Sequence, residues 1–375
     1  MMSINGLINK VEKIIGDPKY NKLREFWHNF YELKRMNTVP LKITFTMTFF
    51  AKKLDLNLIN HYQNPKKYIE DSLKIINFQY TKIHDDRILG GVVINYGEPF
   101  ESSLFGSKPI FKSDNDPWIG EPIIKTEEDL DDLNFPDFYE SGSMPQIIQV
   151  YEAAEKKLKG RIPVIFENWD RSPWGTAVHL RGLVELFKDT IHKPDFVHKL
   201  LNFITESRIK WEKEKAKYLG VKAKRGSLAN DEVDAQLISS EIYQKYAHPY
   251  EMKLANFYPE GIFYFHSCGN ITPFLDTISY LPGLRRLHIS HSTDFKTAVN
   301  KFSGKMAFQK RMHPVTDILI CDYDNMEIII KKILDIGKNT NMELDPGPLQ
   351  EIQLERLQKW ITIARKTIKS ELSTF

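Results

Sequence analysis

From Arg161 onward, short apolar runs alternate with longer stretches whose apolar positions recur every three to four residues. The first kind of run reads as strand buried on both faces, and the second as amphipathic helix. Strands are predicted at Ile162–Phe166, Ala223–Leu228, Ile262–Phe265, Arg286–Ser290, Met306–Gln309 and Met342–Leu344. Helices are predicted between them at Thr176–Leu186, Pro194–Leu219, Glu241–Phe257, Pro273–Ser279, Phe295–Asn300 and Asn325–Ile336, with a last one from Leu349 to Lys369. The N-terminal part is less regular. Asn9–Lys34 reads as one amphipathic helix on Val11, Ile14, Ile15, Leu23, Phe26 and Phe30, and Ile59–Ile83 as another. Between them, Pro40–Phe49 is rich in Thr and aromatic residues and reads as a first strand. Leu89–Trp118 holds most of the local Gly and Pro and reads as short strands and loops. Thr126 then caps an acidic first helical turn, Glu127-Glu-Asp129.

Strands alternating with helices imply parallel pairing through right-handed crossovers. The first strand and the Gly-rich section supply the two strands needed to complete eight. The expected fold is α/β: a single (β/α)8 barrel over residues 40–375, preceded by a helical extension over residues 1–39. An open doubly wound sheet is the alternative, but no Gly-x-Gly-x-x-Gly turn follows any strand.

Composition narrows the function classes. The net charge of +3 comes from 52 basic and 49 acidic residues, too balanced for the strong electrostatic footprint of a nucleic-acid protein. Two cysteines in 375 residues build no disulfide framework and fit a reducing compartment. No apolar run approaches the ~20 residues that span a bilayer. The N-terminus also lacks the apolar core of a signal peptide. A soluble, cytoplasmic protein is expected, with no nucleic-acid or membrane partner.

The chemistry concentrates where the predicted strands end. In Phe263-Tyr-Phe-His-Ser-Cys-Gly-Asn270, His266 and Cys268 are two residues apart and can aim at one point, half of a zinc site. A buried Cys and a hydrogen-bonded His that merely pack would read the same way. Phe263, Tyr264 and Phe265 read as packing. In a barrel, the C-terminal strand ends form the functional face. Glu167-Asn-Trp-Asp170, Asn230-Asp-Glu232, His288, His291 and Met342-Glu-Leu-Asp-Pro-Gly347 join His266 and Cys268 there.

These residues resemble the uroporphyrinogen decarboxylase superfamily, in its methyltransferase-like branch, which includes corrinoid-dependent enzymes such as methylcobalamin:coenzyme M methyltransferases. The resemblance runs from about Pro40 to Ala364. It rests on His266-Ser-Cys-Gly-Asn-Ile-Thr-Pro-Phe-Leu275, Ser172-Pro-Trp-Gly-Thr-Ala-Val-His-Leu-Arg-Gly182 and Asn230-Asp-Glu followed by Ile238-Ser-Ser-Glu-Ile-Tyr243. Thr126-Glu-Glu-Asp-Leu130 with Leu133-Asn-Phe-Pro-Asp137 adds to it. The resemblance implies a (β/α)8 barrel, zinc as cofactor with His266 and Cys268 as ligands, and a cobalamin-carrying corrinoid protein as partner to a small methyl donor or acceptor.

A third cysteine near the last strand completes the family's site, and here the comparable Met342–Pro348 segment has none. Cys321 lies earlier and reads as a loop thiol. Zinc also accepts carboxylate oxygen, so Asp345 and His291 are the first candidates for the missing ligand, followed by Glu343. Asp231 and Glu232 are candidates for orienting substrate or moving a proton, against plain helix capping; Glu167 is a candidate substrate contact. The decarboxylase itself is expected to neutralise its substrate's carboxylates with arginines after the first strand. Here Thr44-Phe-Thr-Met-Thr-Phe-Phe-Ala51 has no arginine and suits an uncharged ligand or an apolar corrin edge. The expected activity is corrinoid-linked methyl transfer; decarboxylation and a non-catalytic ligand-binding barrel are the alternatives.

Overall fold

The computed structural model describes residues 3–372. Among the described residues, seven strands run in chain order: β1 (Val92–Val93), β2 (Val164–Ile165), β3 (Gly226–Ala229), β4 (Ile262–His266), β5 (Arg286–Ile289), β6 (Ala307–Arg311) and β7 (Met342–Asp345). β3 to β7 pair in sequence order as one parallel sheet, and β1 pairs with β2, also in parallel. Helices separate consecutive strands, as the alternating pattern predicts.

The predicted first strand is reduced to two parallel bridges, Leu41 to Leu344 and Phe45 to Leu349. It ends early because Thr46 caps a helix, Met47–Leu54, accepting the Phe49 N–H at 3.3 Å. Phe49 and Phe50 are therefore buried in the core. This segment, β1 and β2, and β3–β7 are eight parallel segments, the number the expected barrel needs, yet they do not form a closed ring of hydrogen bonds among the described residues. β2 reaches β3 only through the bridge of Arg171 to Ala229. No ladder joins the 41–45 segment to β1. The reason is local. The Leu41 and Ile43 N–H groups donate to the side chains of Asp86 (2.7 Å) and Asp85 (3.0 Å), so the edge that would face β1 is already occupied. A cavity of about 620 Å³ lies in this seam, lined in part by Phe45, Thr46, Met47 and Val93.

Several helices are also shorter than the periodicity predicts. The N-terminal helix is two, α1 (Ile4–Ile15) and α2 (Lys19–Tyr31). Pro18 lacks an N–H and breaks the run just after Gly16. The helix predicted over Glu241–Phe257 widens to a π turn at Tyr243–Ala247 before His248–Phe257. Pro249 cannot donate to the carbonyl four residues back, and the His248 N–H bonds Tyr243 O instead. Pro194–Leu219 keeps its predicted bounds, with Pro at its start and Gly220 in the left-handed region (φ +64°) after its end.

In β4–β7 the period-two alternation places Phe265, Leu287, Ile289, Phe308 and Leu344 on one face, all fully buried. The other face carries Tyr264, His266, Arg286, His288, Gln309, Arg311, Glu343 and Asp345. These polar groups bond one another: Tyr264 to Gln309, Gln309 and Arg311 to Asp345, and Arg286 to Glu343. This bonded polar face supports what sits at its C-terminal edge, although His288 Nε2, Arg311 Nε and one Glu343 oxygen on it are buried without a partner among the described residues.

Candidate metal centre at the ends of β3 and β4

Asp231 follows β3, and His266 is the last residue of β4. Their loops are tied together by backbone and side-chain bonds. The Asn230 N–H donates to His266 O at 2.8 Å, and the buried Asn230 side chain donates to Glu251 at 2.7 Å. The Cys268 N–H donates to Asp231 Oδ1 at 2.8 Å. Gly269 is required by close approach, since a Cβ there would lie 2.5 Å from Asp234 Cβ.

This framework brings three donor atoms together. His266 Nε2 lies 3.3 Å from Cys268 Sγ and 3.3 Å from Asp231 Oδ1. All three donor atoms fall within 4.8 Å of one another. Ligands bound about 2.0–2.3 Å from a tetrahedral zinc are separated by roughly 3.3–3.8 Å, so the two short separations suit a metal. Imidazole nitrogen, thiolate and carboxylate are also the donor set zinc accepts. Cys268 is the exposed member and leaves an approach from solvent.

The electrostatics point the same way. Burial works to raise the Asp231 carboxyl, but the His266 ring, the Arg171 charge and the Cys268 N–H overturn it and hold the group well below the usual range. Crowding around the Cys268 sulfur, with the Asp231 charge second, pushes the thiol up to about 12. The Arg311 guanidinium, 3.5 Å from the sulfur, opposes that rise without cancelling it. An ionised carboxylate thus faces a sulfur that resists ionising, an imbalance that a bound cation relieves.

The other candidates lie elsewhere. Asp345 is fully buried and accepts five bonds, from Thr44 N and Oγ1, Gly347 N, Gln309 and Arg311. His291 is exposed, its ring 4.3 Å from that of His313, outside the donor group. Glu343 pairs with Arg286 on the inner face. Glu232 turns away from Asp231 to Arg171 (2.7 Å) and His179 (3.5 Å), and Arg171 also holds Glu98. Glu167 is buried, accepts the N–H groups of Tyr96 and Asn168, and is pushed well up by burial. Asp170 accepts from Ser227 instead of pairing with Arg171.

Three residues about the site are not singled out by sequence reasoning. Tyr264, read as packing, places its hydroxyl 2.9 Å from His266 Nδ1. Gln309 ends the predicted strand and β6 runs on to Arg311; the signal for both is the polar i, i+2 pair itself.

A family model described as uroporphyrinogen decarboxylase (URO-D) matches residues 91–366. Two curated relatives are each described as methylcobamide:CoM methyltransferase MtbA. The one from Methanosarcina mazei is 26% identical over 245 residues, covering 64% of this chain and 69% of the relative. The one from Methanosarcina acetivorans is 24% identical over 234 residues, covering 62% and 65%. The matches thus span about two-thirds of each relative. A solved structure of a methyltransferase from Methanosarcina mazei aligns over 90% of this chain and 96% of its own, at a TM-score of 0.69 and 16% identity, a likeness of fold.

Proposed function

The chain belongs to the uroporphyrinogen decarboxylase (URO-D) family, in its methyltransferase-like branch, and from that premise we propose a corrinoid-linked methyltransferase with a zinc site at Asp231, His266 and Cys268. It moves a methyl group between a corrinoid protein and a small acceptor or donor. The observation that carries this reading is the convergence of Nε2, Sγ and Oδ1 at the ends of two adjacent parallel strands. When bound, zinc supplies a Lewis acid that keeps a thiol ionised at neutral pH.

The chain's own residues do the rest. Asp231 takes the place of a second thiolate and keeps the donor set anionic. The Asn230–Glu251 bond and the Cys268 N–H tie the two loops together and hold the donors near one another. Arg311, held by Asp345, places a positive charge beside the sulfur. A polycarboxylate substrate fits poorly. Asp231, Glu232 and Glu98 gather around the site, and Arg171 and Arg311 are already paired with carboxylates.

The test is demethylation of methylcobalamin, followed by its absorbance, across a panel of thiols and folates. Turnover with at least one acceptor, lost in Cys268→Ser, is expected. Metal-loaded protein that turns over none of them, in either direction, would overturn the assignment.

A further inference from the structure

His266 Nε2 can meet a cation only if the ring's proton sits on Nδ1, and the inner face of the barrel decides which nitrogen carries it. Asp345 contacts only donors: Thr44 N and Oγ1, Gly347 N, Arg311 Nη2 and Gln309 Nε2. Its carboxylate therefore acts as an acceptor throughout. The Gln309 amide is oriented by that contact, its NH₂ towards Asp345 (2.9 Å) and its carbonyl oxygen towards Tyr264. The Tyr264 hydroxyl has one proton, and it donates that proton to Gln309 Oε1 at 2.5 Å. At His266 Nδ1, 2.9 Å away, the hydroxyl oxygen can then only accept. That bond favours the proton on Nδ1, against the pull of the Asp231 carboxylate 3.3 Å from Nε2, and leaves the Nε2 lone pair on the side of Cys268 and Asp231. The His288 ring, 4.2 Å from that of His266 and anchored by its Nδ1 to Ser267 O, limits rotation about this axis.

We propose that Asp345, Gln309 and Tyr264 form a positioning chain that selects the Nδ1–H tautomer of His266 and presents Nε2 as a ligand atom. The three residues act through His266 and touch neither metal nor substrate. The role of Nε2 as a ligand rests on the proposed metal site, but the tautomer does not. The chain also gives Asp345 a part in the site different from direct ligation. Outer-shell partners of this kind fix both ring orientation and ligand basicity.

The experiment is long-range ¹H–¹⁵N correlation NMR on metal-free, histidine-labelled full-length protein, at a pH where the ring is neutral, with His266→Gln used to assign the signal. Wild type is expected to show Nδ1–H. Gln309→Met removes the acceptor for the hydroxyl, which can then turn its proton to Nδ1, so Nε2–H should become populated. Tyr264→Phe should lose the preference and weaken Co²⁺ binding, read from its thiolate absorption, by ~10–100-fold. Nε2–H in the wild type, or a tautomer unmoved in both variants, overturns the proposal. Wild type that shows Nδ1–H but binds no Co²⁺ leaves the positioning chain standing and removes the metal-site reading instead.

Discussion

The backbone N–H of Cys268 is bonded to the side chain of Asp231 at 2.8 Å, so one donor residue holds the other in place. The same Oδ1 lies 3.3 Å from His266 Nε2. Asp231→Asn can keep the bond to Cys268 through its amide oxygen while removing the charge. Zinc affinity, measured by chelator competition, is expected to fall by more than the ~10–100-fold typical of an outer-shell change. Unchanged affinity would remove Asp231 from the donor set.

Gly269 carries the loop of Cys268 past Asp234. Gly269→Ala would place a Cβ 2.5 Å from backbone-anchored Asp234 Cβ, so the loop must shift. A loss of about 1–3 kcal/mol in urea unfolding is expected, the usual cost of overpacking. Metal affinity should fall with it, because Cys268 is the preceding residue.

The π turn has a role in holding the site. Tyr243 donates to the fully buried Glu251 at 2.6 Å, and Glu251 in turn accepts from Asn230 beside Asp231. Tyr243→Phe leaves one buried carboxylate oxygen without that donor, which should cost about 1–3 kcal/mol in denaturant unfolding. The fold should survive, because the ring still packs beside Phe274.

Glu101 sets a pH dependence. It is buried and accepts the N–H groups of Asp170 (3.1 Å) and Arg171 (3.0 Å). Burial raises it to about 7, with Arg171 opposing. A raised carboxyl contributes stability below its unfolded value near 4.5, and that contribution is lost as pH rises through about 7. Glu101→Gln keeps an oxygen for both N–H groups. Its stability relative to wild type should therefore increase from pH 5 to pH 8, by roughly 3 kcal/mol at most. A flat difference in urea midpoints across this range would contradict the assignment.

Much of this was legible in the chain itself. β3–β7 fall within or beside the predicted strands because buried apolar residues recur in short runs bounded by turn residues, at every second position in β5 and β7, and His266 and Cys268 converge as their spacing requires. The open seam beside the 41–45 segment was not legible. Asp85 and Asp86 occupy the edge of the 41–45 segment from forty residues away, which no local pattern encodes. Asp231, read from the sequence as a substrate-orienting or proton-transfer candidate, was not read as a neighbour of the His266 and Cys268 donor atoms for a similar reason. Asp231 reaches the pair across the parallel register of Ala229 with His266. Asp345, two strands over from His288, faces the same interior but is consumed by five donors.

The central claim is the metal itself, and elemental analysis of protein purified from zinc-supplemented culture tests it most directly. Stoichiometric zinc in the wild type, lost in His266→Ala and in Cys268→Ser with folding intact, is the predicted result. Protein that holds no metal and takes up none, or zinc retained in both variants, would contradict it.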